Sequence, residues 1–376
     1  MNRIEKLIAE LCPNGVEWKK LGEVCGLITT GKLNANVMEE NGIYPFFTCD
    51  ERPYRINTYA FDLEAILISG NGSKVGHLNY YKGKFNAYQR TYVLGLFSEL
   101  IRPMFLFHFL KGHLKNYIFI NSRKGSVPYI TLPMLQNFPI PIPPLPIQEE
   151  IVKILDTFTE LEAELQAELE ARKKQYEYYR NKLLTPVEHN GRWYLNGKEV
   201  EWKKLGEVCG LITTGKLNAN AMEENGIYPF FTCDEKPYRI NTYAFDLEAI
   251  LISGNGSKVG HLNYYKGKFN AYQRTYVLGL FSELIRPMFL FHFLKGHLKN
   301  YIFKNSRKGS VPYITLPMLQ NFPIPIPPLP IQEEIVKILD TFTALEAELE
   351  AELEARRKQY EYYRNKLLQF PPFQKC

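Results

Sequence analysis

The sequence predicts an α+β chain built twice. Two globular domains, mainly β with helices, are separated by two long helices that pair as an antiparallel coiled coil, and the whole carries a pseudo-twofold. Three observations lead there. Residues 16–184 recur as residues 200–368 at a fixed offset, and the copies differ at six positions: Val37/Ala221, Arg52/Lys236, Ile120/Lys304, Glu160/Ala344, Gln166/Glu350 and Lys173/Arg357. Each copy opens with short apolar runs punctuated by Gly, Asn and Asp, the pattern of strands and turns. Each closes on a stretch whose apolar positions recur in steps of three and four, the seam of a coiled coil.

A helical segment over residues 1–15 precedes the first copy. The first domain is expected over residues 16–146. Its strand candidates are the short, mostly apolar runs 24–29, 44–48, 65–69 and 91–96, bounded by Gly, Asn and Asp, and a helical insertion is expected over residues 102–115, where Met104, Phe105, Phe107, His108, Phe109 and Leu110 cluster. The run Pro139-Ile-Pro-Ile-Pro-Pro-Leu-Pro146 disfavours helix and favours an extended connector, because proline lacks an amide hydrogen and fixes φ; a proline-rich partner ligand is the competing reading. A long helix follows over residues 147–184, with Ile147, Ile151, Ile154, Phe158, Leu161, Leu165, Leu169, Tyr176, Tyr179 and Leu183 on one stripe. At 1.5 Å per residue it would span roughly 55 Å. Residues 185–199 form a linker, in which Asn190-Gly191 and Asn196-Gly197 flank Trp193-Tyr194-Leu195 as in a small hairpin. The second domain is expected over residues 200–330, its helix over 331–368 and a tail over 369–376. Two equal amphipathic helices are natural partners for each other; pairing with a second chain is the alternative.

Composition narrows the class. With 45% hydrophobic and 23% charged residues the chain reads as folded and soluble. No apolar run reaches the 18 residues a membrane span needs. The charged start Met1-Asn-Arg-Ile-Glu-Lys6 lacks the apolar core of a secretion signal. Six cysteines without a CxxC pair argue against zinc or a disulfide framework and fit a reducing, cytoplasmic setting. The net charge of +6 is unevenly spread: residues 16–146 hold fourteen Lys and Arg against nine Asp and Glu, whereas residues 147–184 hold six against nine. Basic globular parts joined by acidic helices suit contact with a polyanion. Duplex DNA is itself twofold symmetric, so a doubled reader would suit an inverted repeat.

The motifs for chemistry are absent. Gln369-Phe-Pro-Pro-Phe373 lacks the leading Asn or Asp of an adenine methyltransferase motif. Gly70-Asn-Gly-Ser-Lys-Val-Gly76 matches neither the dinucleotide fingerprint nor the P-loop and reads as a tight turn, with Lys74 able to meet a DNA phosphate. No catalytic residue, metal site or cofactor is expected, and His77, His108 and His113 read as ordinary surface or core residues. The DNA-reading candidates are loops that mix basic, amide and aromatic side chains: Lys32, Asn34 and Asn36; Arg52, Tyr54 and Arg55; Lys74; Gln89 and Arg90; Arg123 and Lys124. Their copies are Lys216, Asn218, Asn220, Lys236, Tyr238, Arg239, Lys258, Gln273, Arg274, Arg307 and Lys308. Arg suits guanine and Asn or Gln suits adenine in the major groove, whereas Lys and Ser more often hold phosphates. Tyr176, Tyr178 and Tyr179 read as coiled-coil packing or a docking surface.

Three segments carry a family resemblance: Trp18-Lys-Lys-Leu-Gly-Glu-Val24, Tyr88-Gln-Arg-Thr-Tyr-Val93 and Ile142-Pro-Pro-Leu-Pro-Ile-Gln-Glu-Glu-Ile-Val-Lys-Ile-Leu155, all three repeated in the second copy. The chain closely resembles the DNA-specificity (S) subunit of type I restriction–modification systems over essentially its full length. The resemblance implies two target-recognition domains that each read half of a split DNA site, and two antiparallel helices that space them and dock two methyltransferase (M) subunits. Restriction (R) subunits join the larger complex. Members generally carry two different domains; here they are near-identical, which points away from an asymmetric target. The expected role is sequence recognition without catalysis, directing adenine methylation and cleavage by partners. The helices would act as a ruler, so that removing one heptad from each shortens the DNA spacer by roughly three base pairs. A stand-alone DNA-binding regulator and a coiled-coil scaffold that binds no DNA are the alternatives.

Overall fold

The structure, a computed structural model, describes residues 3–122, 128–306 and 312–373. Two compact units emerge from the packing: Met1–Gln166 with Glu352–Cys376, and Ala167–Ala351.

In the first unit, helix α1 (Arg3–Leu11) buries Ile4, and strand β1 (Glu17–Lys20) leads into a single turn, α2 (Leu21–Val24), where the Glu23 carboxylate accepts from the Lys20 amide at 2.6 Å. A six-stranded sheet follows, built from β2 (Cys25–Thr30), β3 (Tyr44–Phe47), β4 (Tyr54–Ile56), β5 (Phe61–Ser69), β6 (Leu78–Ala87) and β7 (Thr91–Phe97) in the order β2-β7-β5-β6-β3-β4. All neighbours are antiparallel except β3 and β6. Helix α3 (Pro103–Asn121), the short α4 (Leu132–Gln136) and strand β8 (Pro139–Ile142) complete the domain. The apolar run of β5 is explained by burial on both faces. Ala65 and Leu67 pack with Phe47, Phe85 and Val93, while Ile66 and Ile68 pack with Leu94, Phe105 and Leu106. Successive side chains alternate across a strand, so a sheet covered on both sides needs apolar residues at every position.

The expected helix over 102–115 runs further, to Asn121, because its apolar pattern continues through Leu114 and Ile118, both buried. The proline run is only partly a connector: residues 139–142 pair antiparallel with β1, and the long helix α5 (Leu145–Leu184) already includes Pro146. Proline is tolerated in a first helical turn, where the missing amide has no partner to lose.

Residues of α5 up to Gln166 lie in the first unit and pair there with the end of the second long helix, α9 (Leu329–Leu367). Phe158 stacks on Tyr363 at 5.4 Å between centroids, and Glu162 accepts from Arg357 at 2.7 Å. Rising numbers on one helix meet falling numbers on the other, so the pair is antiparallel. The burial differs in detail from a simple stripe: Leu155 and Leu184 are fully buried, whereas Leu161 is 38% exposed. Helix α3 supplies the reason in the first unit. His108, 1% exposed, lies between the helices, with Nε2 2.7 Å from Asp156 and Nδ1 3.1 Å from the Tyr360 hydroxyl. His108 is thus a core residue, as expected, and its two ring nitrogens join α3 to both long helices.

The second unit is built alike. A three-stranded sheet, β9 (Val187–His189), β10 (Arg192–Leu195) and β11 (Lys198–Glu199), replaces the single hairpin expected of the linker. Both Asn-Gly pairs have positive φ, at 52° and 76° and at 48° and 76°, so each makes its own tight turn. Then come β12 (Glu201–Lys204), α6 (Leu205–Val208), β13 (Cys209–Thr214), β14 (Tyr228–Phe231), β15 (Tyr238–Ile240), β16 (Phe245–Ser253), β17 (Leu262–Ala271), β18 (Thr275–Phe281), α7 (Pro287–Asn305), α8 (Leu316–Gln320) and β19 (Pro323–Ile326). The sheet order is β13-β18-β16-β17-β14-β15. Here Tyr176 of α5 meets His292 at 3.1 Å, and Tyr179 stacks on Phe342 of α9 at 5.3 Å. Tyr176 and Tyr179 are packing residues; Tyr178 is 60% exposed.

Gln148 explains the Pro-Pro-Leu-x-x-Gln segment. It is fully buried; its amide donates to the carbonyls of Pro143 at 2.8 Å and Leu100 at 2.9 Å and accepts from the Arg102 amide at 2.8 Å. One side chain thereby ties the start of α5 to the start of α3. Gln332 repeats the three bonds in the second unit.

Candidate nucleic-acid interface

Four loops of the first unit are stitched into one surface. Gly31 donates to the Thr91 carbonyl at 3.2 Å, and the Gln89 amide donates to Leu33 at 2.9 Å, so residues 31–34 run beside residues 88–90. Gly70 donates to the Arg90 carbonyl at 2.8 Å. The Cys49 thiol lies 3.3 Å from the Asn71 carboxamide oxygen and 3.5 Å from the same Arg90 carbonyl, which brings in the loop after β3. The junction demands glycine at position 31, where a Cβ would lie 1.8 Å from the Ala87 carbonyl oxygen. Three sequence segments far apart in the chain therefore converge with the Gly70–Gly76 turn, and the second unit repeats each of these bonds.

Every described candidate is exposed: Lys32, Asn34, Asn36, Arg52, Tyr54, Arg55, Lys74, Gln89 and Arg90, with their copies Lys216, Asn218, Asn220, Lys236, Tyr238, Arg239, Lys258, Gln273 and Arg274. Arg123, Lys124, Arg307 and Lys308 lie outside the described residues. The candidates are not equally available. The Tyr54 hydroxyl donates to Asp50 at 3.0 Å, a bond that raises its pKa, and Arg55 donates to the Ile43 carbonyl at 3.3 Å; both shape their own loop. Lys74 is ion-paired with Glu51. Among the described residues, the side chains of Lys32, Arg52 and Arg90 make no hydrogen bond or ion pair. Gln273 donates to Asn218 at 2.9 Å in the second unit, which aligns two amides side by side. Amides held in this way can read an adenine edge, and an unengaged guanidinium can fork onto guanine.

The sequence reading missed Cys49 and Asn71, which knit the loops, because neither belongs to a basic or aromatic cluster. It also missed a basic cleft of about 430 Å³ between the 73–77 turn and α3, lined by Lys74, His77, Lys111 and Lys115 with Glu51 at its edge. Lys111 and Lys115 are one helical turn apart, a signal visible in the sequence only once α3 is known to face the turn.

No group of His, Cys, Asp and Glu among the described residues could hold a metal. Burial pushes the Cys25 and Cys209 thiols up to about 12, so neither is a nucleophile near neutral pH. No helix is long and apolar enough to cross a membrane among the described residues.

Comparison with known proteins finds one family in both halves of the chain. Residues 13–171 and 197–355 each match the family described as type I restriction modification DNA specificity domain. A putative type I restriction enzyme specificity subunit of Haemophilus influenzae is 31% identical over 388 residues, covering 94% of this chain and 96% of that one. The EcoDI specificity subunit of Escherichia coli is 41% identical over 173 residues, covering 46% of this chain; the match spans only 38% of that relative. In fold, the crystal structure of a type I restriction–modification S subunit from M. genitalium aligns with a TM-score of 0.67 over 95% of this chain and 97% of that one, at 18% identity. A chain from a structural study of complex assembly in the type I system aligns at 0.53 over 95% and 98%, at 20% identity.

Proposed function

The chain belongs to the type I restriction–modification DNA specificity family, and we propose that each of its two domains reads one half of a split DNA target through the loop surface around residues 31–36, 48–55, 70–76 and 88–90 and its copy. The observation that carries this reading is convergence. Loops with amide and guanidinium side chains are pinned together by backbone bonds, and the same surface is built in both units. Rigid loops position readers without an ordering cost on binding.

Gln89 and Arg90, with Gln273 and Arg274, are the base readers in this reading. Lys32 and Lys216 hold phosphates. Arg52 and Lys236 also hold phosphate, since the exchange of a planar fork for a point charge is accepted there. The two near-identical surfaces read the same short sequence. Carried on antiparallel helices, they read it once on each strand, so the target is an inverted repeat with an unread spacer. The chain performs no chemistry; methyltransferase subunits, and restriction subunits in the full complex, act on the DNA it selects.

The test is to map methylated adenines in cells that carry this chain with its methyltransferase subunit. One half-site and its reverse complement should flank a spacer of fixed length. Methylation without a preferred sequence would refute the reading.

A further inference from the structure

The basic cleft beside the loop surface belongs to no recognised motif. Lys74, Lys111, Lys115 and His77 line it with the carboxylate of Glu51; the Lys111 ammonium is turned to the Tyr360 ring, and His77 Nε2 lies 3.3 Å from the Glu51 carbonyl oxygen. The second unit repeats it with Lys258, Lys295, Lys299, His261 and Glu235, again at about 430 Å³. Its walls are fixed. Gly76, at φ 78°, turns the loop against α3 so closely that a Cβ would lie 3.1 Å from Ile118 Cδ1. The Lys111 ammonium stands 4.8 Å from the Tyr360 ring centroid, which leaves Lys74 and Lys115 as the cations of the cleft. The same 70–76 turn is bonded through Asn71 to Cys49 in the loop surface.

The geometry points to a phosphate site: a backbone phosphate of the DNA, adjoining the bases read, enters this cleft between Lys74 and Lys115 and displaces the Glu51 carboxylate from Lys74. This inference rests on the proposed DNA reading. Lys74 and Lys115 line the same cleft, and its volume of about 430 Å³ exceeds what one carboxylate fills. Glu51 stands in for the phosphate in the free chain. Its partner Lys74 holds its pKa below the usual range. Because Glu51 sits in the loop that carries Arg52, Tyr54 and Arg55, phosphate entry also releases that loop toward the DNA. Contacts of this kind set register and carry no sequence information.

The full chain tests this by titration with random duplex and with duplex bearing the target, across a range of salt. In Lys115→Gln with Lys299→Gln, the slope of log K against log salt should become shallower by about 1.8. Affinity near 0.1 M salt should fall on the order of tenfold or more for both duplexes, leaving the preference between them unchanged. Glu51→Gln with Glu235→Gln should act oppositely and tighten both. Thermal unfolding confirms that these exposed substitutions leave the fold intact. Variants of a DNA-binding chain whose salt slope does not move overturn the cleft alone, as does loss of inorganic phosphate binding with no effect on duplex. An unmodified chain that binds no duplex at any salt overturns the cleft and the DNA reading together.

Discussion

Gln89 and His108 show how differently two polar side chains can serve one molecule. Gln89 is exposed on a loop pinned through its own amide to Leu33 and through the Arg90 carbonyl to Gly70, and its side chain is available to a ligand. Replacing Gln89 and Gln273 by Ala should relax preference at one symmetric base-pair position, by roughly 1–3 kcal/mol per half-site. Binding selection from randomised half-sites reads this directly, and a uniform loss with unaltered preference would remove the pair from the reading set. His108 is buried, and its work is internal. Burial holds His108 and His292 below the ordinary imidazole range, outweighing the raising effect of Asp156 and Asp340. Each is therefore neutral in the folded chain at pH 7, while the unfolded chain takes up protons near pH 6.5. The unfolded state then binds more protons, so these residues' contribution is present above about pH 6.5 and is lost as pH falls below it. His108→Gln with His292→Gln should be less stable at pH 7 yet lose less stability between pH 7 and pH 5 than the unmodified chain. Denaturant titration at both pH values checks this; parallel losses would contradict it.

At the scale of elements, the junction between domain and helix depends on Gln148 more than on the charges around it. The Arg102–Glu149 pair at 2.7 Å is half exposed, with side chains 44% and 56% accessible, and such pairs contribute at most about 1 kcal/mol. Gln148 satisfies two carbonyls and an amide away from solvent. Gln148→Leu should cost at least about 2 kcal/mol, because each orphaned buried group costs roughly 1–3, whereas Glu149→Gln should cost little. Equal effects in chemical unfolding would count against this ranking. The elements were unevenly legible in the sequence. β5 and β7 announce themselves because burial on both faces leaves continuous apolar runs. β6 does not, since Lys82, Gly83 and Lys84 interrupt it where one face meets solvent, and only the pairing with β5 makes it a strand. The seam of the long helices was visible, but the burial of Leu155 and the role of Asp156 depend on α3 arriving from more than thirty residues away. The loops proposed to read DNA were visible one by one, because residue types mark them; their knitting by Cys49 and Asn71 follows from topology that no local pattern encodes.

At the scale of the molecule, the six differences between copies decide what can be asymmetric. Val37/Ala221 sits in a loop beside the reading surface, and Arg52/Lys236 keeps its charge. Ile120 and Lys304 end their α3-type helices on exposed positions, so only the second domain adds a cation there. None of the six replaces Gln89, Arg90, Asn34 or their copies. The central claim is therefore that one chain reads one short sequence twice. The most direct test is selection of bound duplexes from a random pool by the full chain with its methyltransferase subunit, followed by sequencing. The account predicts a single half-site appearing with its own reverse complement across a constant spacer. Two unrelated half-sites, or one half-site with no second copy at a fixed distance, would contradict it.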